Sequence, residues 1–242
     1  MIRPASPLIR AALLLLPIAC DDATEPLPPH NFFVTGDRQN GTVGEPLAET
    51  VVIEMRRPDG SPLPAFDATI RNISGNPTVL LEGGSSLQGD GGTIRVTVED
   101  GVLELRITLG TVPALAVIEV TVPGIVANPA VLVITAFGAA GPIENVAIAG
   151  DGQLGGSGDA LALPVAVILT DRYDNAIPFV EVTWTPADGA GTTDPLTSMS
   201  NDAGAASTSW TLGPGLGVQA LDVTVPGAGT FHVHATAVAT GG

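Results

Sequence analysis

The side chains able to do chemistry in this chain are few and scattered. His232 and His234 stand two apart, so on a strand both project from one face, where a third donor from a neighbouring strand would complete a transition-metal site. Asp171, Asp174 and Asn175 offer the oxygen ligands that calcium prefers, but they fall in a hairpin whose turn geometry itself wants Asp and Asn. Gly150, Gly152 and Gly155 spell G-x-G-x-x-G after an apolar stretch. No helical periodicity follows to set a helix N-terminus under a phosphate, and a turn is expected there instead. Asp37 and Asp151 are expected to accept backbone N–H groups in an adjacent turn. H-E-x-x-H and G-x-S-x-G are absent, Cys20 is the only cysteine, and one of the three histidines, His30, lies in a proline-rich stretch. No catalytic residue and no cofactor is expected. A carboxylate pair assembled from distant residues, of the glycosidase kind, is the one hydrolytic arrangement left open.

The elements that must position these residues come in two copies. NVAIAGDGQLGGSG, Asn145 to Gly158, reads a second time as NFFVTGDRQNGTVG, Asn31 to Gly44, 114 residues upstream. At that offset D-x-Q-x-G-x-x-G recurs as Asp37, Gln39, Gly41, Gly44 and Asp151, Gln153, Gly155, Gly158, and Pro64 falls on Pro178. Further on the offset is 103, which places TLG at Thr108 to Gly110 on Thr211 to Gly213, and VTVPG at Val120 to Gly124 on Val223 to Gly227. The first copy thus carries 11 extra residues between Ile70 and Gly101. A surface loop is the expected place for them, because loop closure cost grows slowly with length.

Apolar residues alternate at period two. Val180, Val182 and Trp184 share one strand face, as do Ile94, Val96 and Val98, and Phe231, Val233, Ala235 and Ala237 face away from both histidines. Turn signals such as Pro58-Asp59-Gly60 and Tyr173-Asp174-Asn175 separate the strands, and 51 Gly and Pro residues leave little room for helices. The expected fold class is all-β: two tandem Ig-like antiparallel β-sandwiches, residues 31–137 and 145–240, joined by a linker at 138–144.

At the amino terminus Arg3 and Arg10 precede the apolar run Ala11 to Ala19, which is a secretory signal and too short to span a bilayer. LPIAC, ending at Cys20, resembles the lipobox of bacterial lipoproteins, with Pro17 where leucine is usual. That resemblance implies that Cys20 is lipidated after removal of the signal, and that residues 21–30, acidic and rich in proline, tether the chain to a membrane of the cell envelope.

The formal charge is −16 and the chain contains no lysine, which excludes nucleic-acid binding, since phosphate backbones are held by clusters of Arg and Lys. With Cys20 as the only cysteine, neither unit has a disulfide and each relies on its own core, for which about 100 residues suffice.

Residues 145–239 resemble the bacterial Ig-like domain of group 1, the invasin and intimin type. The motifs are Thr170-Asp171, Asn175 and Pro178 in the following hairpin, Val182 to Trp184, Asn201-Asp202, Gly204, Ala206-Ser207, and Trp210 through Gly213. The first unit is similar but divergent, with Arg56-Arg57-Pro58 at the hairpin motif and Ile70 and Ile107 at the two tryptophans. Aliphatic residues in place of both tryptophans point to core positions, since a core needs volume and a ligand platform needs a π-face. The resemblance implies a non-catalytic surface spacer or adhesion module whose protein or glycan partner the sequence does not name. An alternative expectation is an envelope glycan- or ligand-binding module using the insertion Asn72 to Gly92.

Overall fold

The structure, a computed structural model, describes residues 31–81, 84–123 and 131–239. The signal, Cys20 and the tether lie outside the described residues. Those described form nineteen strands. In the first unit these are β1 (Asn31–Thr35), β2 (Gln39–Thr42), β3 (Val51–Arg56), β4 (Ala65–Ser74), β5 (Thr78–Leu81), β6 (Ser86–Gln88), β7 (Thr93–Glu99), β8 (Val102–Thr108), β9 (Ala114–Thr121) and β10 (Val131–Ala139). In the second they are β11 (Asn145–Ala149), β12 (Gln153–Gly156), β13 (Val165–Thr170), β14 (Glu181–Pro186), β15 (Thr192–Asp194), β16 (Thr197–Met199), β17 (Ala205–Thr211), β18 (Gly217–Val225) and β19 (Gly229–Val238).

Each unit is a sandwich of two sheets, ordered β1-β3-β8-β5-β6 and β2-β10-β9-β4-β7 in the first, and β11-β13-β17-β15 and β12-β19-β18-β14-β16 in the second. The expected all-antiparallel pairing needs one correction. After its opening strand the chain crosses to the opposite sheet, where β2 pairs parallel to β10 and β12 parallel to β19. β10 runs to Ala139, two residues beyond the expected end of the first unit at 137, and β11 begins at Asn145.

The D-x-Q motif makes this crossing. Gln39 Nε2 donates to Gly36 O (2.7 Å) and Glu49 O (2.9 Å) while its Oε1 accepts Glu49 N (2.9 Å). Gln153 repeats the three bonds with Gly150 and Leu163. Asp37 accepts Thr135 N and Asp151 accepts His234 N, both at 2.8 Å. The aspartates therefore serve the last strand of the unit, 98 and 83 residues away, rather than an adjacent turn. Gly150 has φ +87°, and a Cβ there would press on the Pro164 carbonyl, so the glycine is required by the turn that starts the crossing.

Alternation builds two separate cores. Val51, Ile53 and Met55 of β3 meet Leu103, Leu105, Ile107, Ile70, Ile118 and Val120 in the first; Val165, Val167, Leu169, Trp184, Trp210, Leu221 and Val223 fill the second. Trp184 and Trp210 are fully buried, and so are Ile70 and Ile107 at the matching positions. Each indole N–H is satisfied, by Ser198 Oγ (2.9 Å) and by Ala190 O (2.8 Å).

The insertion is not a loose loop. It adds strand β6 to β5, whose counterpart in the second unit is β15, and lengthens the strand that follows, from three residues in β16 to seven in β7. Val79, Leu81 and Leu87 from it are buried in the first core, which has no tryptophan to fill it. Asn72 is buried as well, donating to Pro77 O and Gly89 O, with its own Oδ1 unpartnered.

Candidate functional site: the joint between the units

The hairpin after β13 of the second unit reaches back onto the end of the first. Asp171 organises it. Its carboxylate is fully buried and accepts five bonds: to Oδ1 from Tyr173 N (2.8 Å), Asn175 N (3.0 Å) and Asn175 Nδ2 (3.2 Å), and to Oδ2 from Asn175 Nδ2 (2.9 Å) and Gly141 N (2.9 Å). Burial alone would raise its pKa, but the Asn175 side chain and the backbone N–H groups of Gly141, Asn175 and Tyr173 outweigh that and hold it below the ordinary carboxylate value. The Gly141 bond is the important one for the joint, because it ties the connecting segment to the hairpin.

Three further contacts cross from unit to unit. Arg172 Nη2 meets Glu45 Oε1 at 2.6 Å, with both side chains about half exposed. Asn175 Nδ2 donates to Thr111 O at 2.8 Å. The ring of Tyr173 lies against Gly44, where a Cβ would overlap its hydroxyl, and the Arg172 guanidinium sits 4.8 Å from the ring centroid. Gly44 has φ +72°, so glycine is needed both for the backbone and for the close approach. The joint therefore rests on a buried carboxylate, a bridging amide, an exposed ion pair and an aromatic contact.

The geometry speaks to each candidate residue named from the sequence. Calcium does not fit Asp171 as it stands: four N–H-bearing nitrogens, those of Gly141 N, Tyr173 N, Asn175 N and Asn175 Nδ2, point at the carboxylate, and their positive ends oppose a cation. Asp174 is exposed with φ 63°, a turn position. His232 and His234 are both exposed on β19, His232 Nδ1 lies 2.7 Å from Asp222 Oδ1 on the neighbouring strand, and no cluster of three His, Cys, Asp or Glu side chains able to hold a metal is present among the described residues. Among the described residues, the carboxyls displaced from their ordinary acidity, Asp59 and Asp171, are both lowered, whereas a general acid needs a raised value. Sequence reasoning missed Glu45, Thr111, Gly141, Arg172 and Tyr173. The available signal was Arg172 itself, the only arginine after Arg106 and next to the only tyrosine.

The chain is similar to FdeC, an adhesin of Escherichia coli, over 86% of its own length and 64% of that structure, with a TM-score of 0.50 and 16% identity. Its two successive β-sandwiches share the fold of that structure. At this identity the likeness is one of fold, and the chain spans less than two thirds of the FdeC structure. InvD of Yersinia pseudotuberculosis aligns over 87% of this chain and 58% of its own, at 14% identity and a TM-score of 0.46. Invasin, a bacterial integrin-binding protein, aligns over 87% and 39%, at 19% identity and a TM-score of 0.38. No family model and no curated protein matches the sequence. The invasin and intimin type of Ig-like unit, read from the motifs of residues 145–239, agrees with this fold.

Proposed function

We propose that the chain is a non-catalytic protein of the cell envelope, lipid-anchored through Cys20, whose two Ig-like units form a spacer that presents an adhesive or protein-binding surface away from the membrane. The joint carries this reading. A spacer transmits position only if its units cannot fold back, and here a buried Asp171 fastens the hairpin to the connecting segment while Tyr173 and Asn175 hold the neighbouring unit. The Ig-like tandem of an adhesin supports the same role.

Protease digestion of intact cells tests the location. Rapid loss of the full-length band, with a periplasmic control intact, is the outcome expected for units outside the cell. Protection until the outer membrane is opened would move the role to the periplasm. Metabolic labelling with a clickable fatty acid tests the anchor: label lost in Cys20→Ser supports it, and an unlabelled wild-type chain refutes it.

A further inference from the structure

The insertion changes one sheet edge. β7 ends the sheet β2-β10-β9-β4-β7, paired with β4 on one side and with no strand on the other among the described residues. The remaining edge strands have three to five residues; β7 has seven, Thr-Ile-Arg-Val-Thr-Val-Glu, without Pro or Gly. A long, β-branched, unpaired edge is a template for another strand. Its inward side chains are unfinished core: Ile94 and Val96 pack against the first core but remain half-buried. In the second unit the equivalent β16 is only three residues long, so this edge belongs to the first unit alone.

The charges on the edge select the partner. Arg95 and Glu99 project outward on the same face, and neither forms an ion pair among the described residues. We propose that β7 is a self-association edge, pairing antiparallel with β7 of a second copy of this chain in the register that sets Thr97 opposite Thr97. In that register each Arg95 faces the other copy's Glu99, twice over by symmetry, and Val96 faces Val98 on the inner side. A shift that centres the pair on Arg95 or on Glu99 places like charges opposite each other, and one centred on Val96 leaves both charges facing threonine, so the ion pairs specify a single register. The interface is isologous, as a two-fold contact requires. Pairing also reverses polarity. β2 and β10 run toward the joint, and β7 runs against them, so two copies joined at β7 present their joints at opposite ends. If the chain is anchored as proposed above, such a pair suits copies standing on apposed surfaces.

Sedimentation equilibrium of the full chain in mild detergent, which does not depend on the anchoring, tests the edge through charge reversal at two exposed positions. The wild type is expected to form a concentration-dependent dimer. Arg95→Glu alone and Glu99→Arg alone are each expected to weaken it about tenfold or more, since two attractive pairs become repulsive. An equimolar mixture of the two variants restores attraction at both contacts and is expected to dimerise like the wild type, as is the double reversal. Hydrogen exchange should slow in residues 93–99 as concentration rises. A monomer at all concentrations, a dimer indifferent to single reversal, or a mixture that fails to recover would each overturn the proposal.

Discussion

The repeat supplies a matched pair of perturbations for the joint. Gly44 and Gly158 occupy the same place in their units, with φ +72° and +80°. Alanine at either is forced into the left-handed region at about 1 kcal/mol. The surroundings differ: a Cβ at Gly158 meets nothing within 4 Å, whereas at Gly44 it overlaps the Tyr173 hydroxyl. Gly44→Ala must therefore also push the ring off the first unit. The ring is about one third exposed, and losing the contact costs roughly another 1 kcal/mol in apolar burial. That lowers the docked-to-undocked ratio of the hairpin about fivefold. Tyr173 is the only tyrosine, so selective ring labelling gives a single NMR signal from the joint. The expected result is that Gly44→Ala moves this signal toward the free-tyrosine position, while Gly158→Ala leaves it in place and lowers only the melting of the second unit. Equal shifts in both variants, or no shift in Gly44→Ala, would refute the account of the joint.

Both tryptophans belong to the second core, so Trp210→Ala should cost that unit about 3–5 kcal/mol, seen by calorimetry as one transition moving and the other staying. Asp151→Ala removes the acceptor of His234 N and should destabilise the second unit by about 1–3 kcal/mol in chemical denaturation, with the first unit unchanged. For Asp171 the folded pKa lies below the unfolded value near 3.8. Its contribution is therefore complete above about pH 4 and disappears as the pH falls through the lowered folded value. Asp171→Asn should lose about 2–3 kcal/mol at pH 7 and flatten that acid limb, and an acid limb identical to the wild type would place the dependence elsewhere.

The fold was legible because its signals are local and doubled. Period-two alternation marks the strands, and the two aliphatic-for-tryptophan exchanges point to Ile70 and Ile107 as core, where both are buried. What escaped was long-range. Asp37 looked like a turn residue, and only the sheet crossing brings Thr135 to it. The insertion looked like a loop because it is rich in Gly and Ser, yet Val79, Leu81 and Leu87 were spaced to enter a core. The offset also falls once more, to 99 at the last strand, as the pairing of Gln39 with Ala136 and of Gln153 with Ala235 shows. No shared motif marks that step. The joint is legible only in half: the Asp171 hairpin reads as a turn, but its partners Glu45 and Thr111 are 127 and 64 residues from the side chains they meet, and no sequence spacing encodes them.

The divergence between the copies falls on the parts that do not hold the joint. The first unit contributes to the joint a glycine, a carboxylate and a backbone carbonyl, all on the turns at its end, and none of these depends on what fills its core or builds its far edge. Its core is filled by Ile70 and Ile107 in place of tryptophan, and its edge is built differently, without disturbing the contact. The second unit is more constrained, because the hairpin that docks is continuous with β13, and Val165, Val167 and Leu169 of that strand are fully buried. A change there alters core and joint together. The freedom of the first unit is what allows β7 to grow into an edge with its own charge code.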